Sequence, residues 1–270
     1  MNPRYAILRT SRKPVEVEVM ARAFRGVPGL TPYDAHMVCG EGDGILCRNL
    51  TAAQAEVLLT NLGTEAVQVE LVEETMLPSL PTGRVIHRGK FTPEALLVDD
   101  LLKGQLPLPW EQVQLIAAGS VQTATFARKR TEWEEIQLDH LHMHAGIMIP
   151  IPRKVTRFEY SSKESSDWFL RADILLADST TRYRIEAEHF DFAASCPEAT
   201  RHLAGDFCLF VRELARYAPK AMLSRGAAAI LADPPEFVYF PHKKSYEDEL
   251  IWTLWRNAQG QIPGETTVEP

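Results

Sequence analysis

A chain of 270 residues with 45% hydrophobic and 24% charged residues has the length and composition to bury a core, which excludes a wholly disordered protein. Its 29 Lys and Arg against 36 Asp and Glu leave a formal charge of -7. That is the reverse of the basic excess with which nucleic-acid binders neutralise phosphate, so no nucleic-acid partner is expected. Residues 4–10 alternate in the manner of a strand. Pro14 suits the first turn of a helix, and Val15, Val19 and Ala23 recur at helical spacing until Gly26 and Gly29 stop the run. Thr31 and Pro32 open a second helix, with Ala35, Val38 and Cys39 on one side. Gly40, Gly42 and Gly44 make a turn, and residues 44–48 read as a strand. Thr51 and Gln54 form a capping box for a third helix, whose apolar face is Ala55, Leu58, Leu59 and Leu62. A strand over 67–72 follows.

The order strand, helix, helix, strand, helix, strand within residues 1–75 predicts a small α/β sandwich. It resembles the ferredoxin-like and ribosomal-stalk modules that recur as binding or regulatory units. Two prolines and a glycine mark 76–83 as a linker. Strands then follow at 84–88 and 95–99, and Pro109 and Trp110 lead into another at 113–121. This stretch resembles the opening hairpins of bacterial pleckstrin-homology-like domains, which implies an antiparallel sheet in a module spanning 84–259. Trp110 is expected as a core anchor because of its large apolar area.

Residues 128–166 follow neither period. Pro150 and Pro152 exclude a helix and disfavour a central strand, and 161–166 are polar, so the segment reads as a long, loop-like insertion. Residues 168–177 and 183–187 flank a turn at 178–181 and form the clearest hairpin. Arg182 and Arg184 should then lie near Asp173 or Asp178 across a solvated sheet face. Helical spacing runs over 199–217 and again over 219–231, with Ser224 at a kink or junction. The stretch from Asp233 to Glu236, with two prolines, breaks it. Ser245 and Asp248 cap a last helix carrying Ile251, Leu254 and Trp255 on its face, and 260–270 is a tail. The fold class is α+β.

The sharpest chemical feature is His140, His142 and His144. Side chains two apart share one face of an extended segment, and neutral imidazole is a good transition-metal ligand, so these three are the candidate metal ligands. Further ligands would come from Glu186, Glu188 or His189. A transition metal is the one cofactor the sequence suggests. The glycines at 40, 42 and 44 follow a helix and precede a strand, the reverse of a dinucleotide fingerprint. No phosphate loop or nucleophile elbow occurs, and no catalytic residues are assigned. Tyr239, Phe240, His242, Lys243 and Lys244 mix aromatic and basic groups and form the candidate interaction surface. Cys39, Cys47, Cys196 and Cys208 lie in apolar or mixed stretches and read as buried free thiols. The N-terminus has no apolar signal core and no apolar run approaches the roughly 18 residues that cross a bilayer, so a cytoplasmic protein is expected. The preferred reading is a non-enzymatic protein-interaction or regulatory module. The alternatives are a metal-dependent enzyme or metal sensor built on the histidines, and a peripheral membrane adaptor.

Overall fold

The computed structural model describes the chain except residues 1–2, 14, 42–43, 101–103, 145–146, 179, 197–198, 200–201 and 261–270; the side chains of 40–41, 100 and 124–166 also lie outside the described residues. Residues 1–122 and 168–270 form one compact unit, and 123–167 a second. The class is α+β.

In the first unit, β1 (Tyr5–Arg9) is the middle strand of an antiparallel sheet, between β2 (Ile45–Leu50) and β3 (Val69–Glu73). Helices α1 (Val17–Phe24), α2 (Pro32–Glu41) and α3 (Ala52–Thr64) complete the order predicted for this region. Thr51 caps α3 as expected: its hydroxyl accepts the Gln54 N–H, and the Gln54 side chain accepts the Thr51 N–H at 2.9 Å. Alternation along β1 sends Ile7 to one face, where it packs with Met20, Phe24, Leu58 and Leu62 of the helices. Ala6 and Leu8 face the other way, onto Ile251 and Trp252. Both faces of this strand are therefore covered, which is why it reads as a continuous apolar run.

The segment over 76–83 carries only the end of a 3-10 turn (Glu74–Met76) before β4 (Gly83–Ile86). A meander of β5 (Gly89–Phe91), β6 (Ala95–Asp100) and β7 (Gly104–Pro109) follows. The largest sheet has the order β11–β8–β9–β10–β4. Its members are β8 (Val113–His144), β9 (Ile147–Leu176), β10 (Arg182–Glu186) and β11 (Met222–Leu223), with β12 (Tyr239–Phe240) also on β8. It is mixed, because β10 runs antiparallel to β9 and parallel to β4. On one face Ile116, Ala172, Ile174 and Ile185 pack against Phe207, Phe210, Val211 and Leu214 of α5 (Leu203–Tyr217) and Ile230 of α6 (Arg225–Leu231). A short helix, α4 (Phe192–Ser195), adds Phe192 to this core. On the other face Leu115, Ala117, Val121 and Leu175 meet Tyr246 and Leu250 of α7 (Lys243–Ala258). Helix α7 thus lies between the two sheets and supplies apolar side chains to both. Trp110 is buried as expected, and its indole N–H donates to the Thr92 carbonyl at 2.9 Å.

Three expectations are corrected. The helical run over 219–231 is broken at its start: β11 occupies 222–223, and Ser224 caps the shorter α6 by accepting the Ala227 N–H. Gly226 then approaches the Ala118 carbonyl so closely that no Cβ fits between them. Helix α7 begins at Lys243, two residues before Ser245, whose hydroxyl accepts the His242 N–H. The loop-like reading of 128–166 gives way to strands of 32 and 30 residues, β8 and β9, separated by two residues, a connection that permits only an antiparallel pair. Pro150 and Pro152 are compatible with β9 because N–H direction alternates along a strand. Two prolines two residues apart remove donors from a single edge. Within the second unit, residues 123–167 continue these two strands.

Candidate functional site

Three consecutive acids on α7 point in three directions, and each meets an arginine. Asp248 takes Arg48 of β2 at 2.7 Å, and Glu74 binds the same guanidinium at 2.8 Å. Glu247 lies 3.2 Å from Arg182 of β10. Arg182 in turn holds Asp173 of β9 at 2.8 Å, and Arg184 joins at 3.4 Å. The cross-strand pairing of Arg182 and Arg184 with Asp173 follows the hairpin register, as predicted. The face is not solvated, however: Asp173 and Arg182 are buried, because α7 lies over them. Tyr246 is buried beside this network, and burial first, then the Asp173 charge, pushes its hydroxyl well above the ordinary tyrosine range.

Glu249 enters a second cluster. Its side chain is 2% exposed, and one oxygen accepts the Arg225 backbone N–H at 2.6 Å. Arg12 approaches the same oxygen at 3.9 Å and lies 5.3 Å over the Trp252 ring. Burial holds the Glu249 carboxyl above its usual range, against the opposing pull of Arg12 and Arg225. Burial also lowers Arg9 and Arg12, and Arg225 repels both. Trp252 and Arg256 fix the strand end from which these arginines rise: the indole N–H donates to the Arg9 carbonyl at 2.8 Å, and Arg256 donates to the Thr10 carbonyl at 2.8 Å. None of Arg9, Arg12, Arg225 and Glu249 stands out in the sequence-based reading. The signal was there in two forms: basic residues at 9, 12 and 13 directly after an apolar strand, and a glutamate within the buried stripe Tyr246, Glu249, Leu250 and Thr253.

The candidate interaction residues separate. Tyr239 is 60% exposed and meets Trp168, 46% exposed, edge to face at 5.3 Å. His242, Lys243 and Lys244 are exposed at the start of α7, where Lys243 lies 3.7 Å from Glu247. Phe240 does not belong with them. Strand alternation turns it inward against Tyr246, and at 2% exposure it is a core residue. Trp168 is the surface aromatic that sequence reasoning missed, since it falls at the head of a hairpin strand read for its core.

The backbones of His140, His142 and His144 belong to β8, and their side chains lie outside the described residues. Of the further ligands considered for them, Glu186 and Glu188 have partners for their carboxylates, while His189 is engaged through its backbone carbonyl and not its imidazole. Glu186 pairs with Arg171 at 3.3 Å, the Glu188 carboxylate accepts the Leu170 N–H at 3.4 Å, and the His189 carbonyl faces His87 at 3.2 Å. No group of three metal-ligating side chains occurs among the described residues. All four cysteines are free thiols. Cys47, Cys196 and Cys208 are buried, Cys39 is half-buried, and burial pushes the Cys47 thiol up to about 12. A cleft of about 420 Å³ is lined by Lys90, Phe91, Ser195, Arg216 and Tyr217. Two of its polar side chains are already engaged: Ser195 donates to the Gly89 carbonyl at 2.6 Å, and Arg216 binds Glu213 and covers Tyr217 at 4.5 Å. No helix of the described residues is long and apolar enough to cross a membrane. The chain matches no protein-family model, no curated protein and no solved structure.

Proposed function

We propose that this chain is a non-enzymatic protein-interaction module, and that Trp168 and Tyr239, flanked by His242, Lys243 and Lys244, form the surface that receives its partner. The supporting observation is the exposed edge-to-face pair itself. Trp and Tyr bring large, rigid contact area with a polar edge and are the residue types that dominate protein interfaces. Held side by side in solvent, they are already ordered for contact, so little side-chain entropy is lost on binding. The adjacent lysines favour a partner that presents carboxylates around an apolar pocket. Capture of partners by the wild-type protein and by the Trp168→Ala/Tyr239→Ala double variant, followed by reconstitution with the purified partner, tests this reading. The expected result is a stoichiometric complex that weakens at least roughly tenfold in the variant, with thermal stability nearly unchanged because both rings are exposed. Equal binding by the variant would refute it, as would substrate turnover by the purified protein with no partner bound.

A further inference from the structure

The cluster around Glu249 holds buried donors and acceptors that have no hydrogen-bond partner among the described residues. Arg12 presents Nε and Nη2, both buried and neither with an acceptor among the described residues. One oxygen of Glu249 is used by the Arg225 N–H; the other is buried and, among the described residues, has no donor. The Thr253 hydroxyl, one turn further along α7, is buried in the same condition. The separation of 3.9 Å between Arg12 and Glu249 is too long for a hydrogen bond and leaves each with capacity to spare. Three guanidinium groups, Arg9, Arg12 and Arg225, lie within electrostatic range of this one carboxylate or of one another. The Arg12 side chain as a whole remains 24% exposed, while its Nε and Nη2 are buried.

We propose that this cluster binds a protonated phosphoryl oxyanion, hydrogen phosphate or a phosphomonoester, with Arg12 donating to its oxygens and Glu249 accepting its P–OH. An anion is called for by the gathered arginines, whose mutual repulsion it relieves. A proton on that anion is called for by Glu249, whose free oxygen repels a bare oxyanion but binds a hydroxyl. Inorganic phosphate at neutral pH offers both acceptor oxygens and at least one donor, a phosphomonoester keeps its P–OH only toward its second pKa of about 6, and sulfate offers acceptors alone. The raised affinity of Glu249 for a proton strengthens a hydrogen bond in which carboxylate and phosphoryl oxygen share one. None of these residues belongs to the Trp168 and Tyr239 surface, so the two readings stand or fall separately.

The test uses the full chain. Thermal unfolding and calorimetric titration are compared in inorganic phosphate, glycerol 2-phosphate and sulfate at matched ionic strength. At roughly tenfold excess over Kd, phosphate is expected to raise Tm by about 3–5 °C, while sulfate does no more than chloride. Binding of phosphate alone assigns the free ion, and binding of the ester alone assigns a phosphorylated ligand. Arg12→Gln should weaken binding roughly tenfold or more, the loss expected for a charge-assisted hydrogen bond. Glu249→Gln should admit sulfate, because the amide donates where the carboxylate repelled. Equal responses to phosphate and sulfate in the wild type, no response to either phosphate, or wild-type affinity in Arg12→Gln would overturn the assignment. Should one variant fail to fold, the other and the wild-type comparison still decide it.

Discussion

Burial shifts the Glu249 carboxyl above the ordinary glutamate range. Its carboxyl is buried on every side, and burial outweighs Arg12 and Arg225 in setting the direction of its shift. A folded-state pKa above the unfolded value means that the native state binds more protons, so stability falls as pH rises through that raised value. The contribution is fully present below the ordinary glutamate range and is lost above it. Glu249→Gln removes this dependence while keeping an oxygen to accept the Arg225 N–H. Urea midpoints measured across pH should therefore show the variant gaining on the wild type from the ordinary carboxyl range upward, in phosphate-free buffer. A wild-type advantage that grows with pH would mean that the arginines, not burial, govern this carboxyl. Asp248, one residue earlier, shifts in the same direction from burial, and Arg48 works against it. The neighbouring Glu74 is lowered despite partial burial, held by Arg48 and by the Asn49 N–H at 2.8 Å. Around one arginine, two carboxylates thus shift apart according to how buried each is and how much hydrogen bonding it receives.

At the scale of elements, α7 decides how the N-terminal sheet is held. Trp252 is buried between that sheet and the rest of the unit, and its ring occupies the space above Gly44 where any Cβ would collide. Trp252→Ala should cost about 3–5 kcal/mol in urea unfolding, from lost burial and a cavity that the two sheets cannot close. Trp252→Phe should cost about 1–3 kcal/mol, mainly from the Arg9 carbonyl left without its donor. Hydrogen exchange should report the loss in β1 and β2 before β9 and β10, since the latter pack on α5 from their other face. Much at this scale was legible in the sequence. The order β1 to β3, the Thr51 cap and the β9–β10 hairpin depend on neighbours a few residues apart, where periodicity and capping chemistry act. The inner face of α7 was not. Its periodic apolar residues suggest Ile251, Leu254 and Trp255, yet the stripe Tyr246, Glu249, Leu250 and Thr253 is the more deeply buried. A buried glutamate becomes tolerable only through arginines brought in from Arg12 and Arg225, and spacing along the chain does not encode such contacts. Phe240 and Tyr239 were undivided in the sequence for a related reason: which of two neighbours points inward is fixed by pairing with β8.

At the scale of the molecule, the first unit holds four apolar clusters, and residues 123–167 continue two of its strands. In the first unit β8 meets β11 at Leu115 and Ile116 and β12 at Ser120 and Val121, and β9 meets β10 from Arg171 to Leu175. A two-stranded ribbon is at best marginally stable alone, whereas a sheet covered on both faces by helices is held by its core. The two parts should therefore differ in what they contribute to stability. Replacing residues 123–167 by a short Asn-Gly turn should leave the first unit folded, with a Tm within a few degrees of the full chain and a near-UV spectrum that keeps the bands of Trp110 and Trp252 while losing those of Trp133 and Tyr160. A cooperative loss of that signal at ambient temperature would show instead that the first unit depends on the long strands for its own fold. If the shortened protein is stable, binding of the partner can then be compared with and without the second unit, with Trp168 and Tyr239 present in both. Undiminished binding places recognition on those two rings, and lost binding places it on residues 123–167.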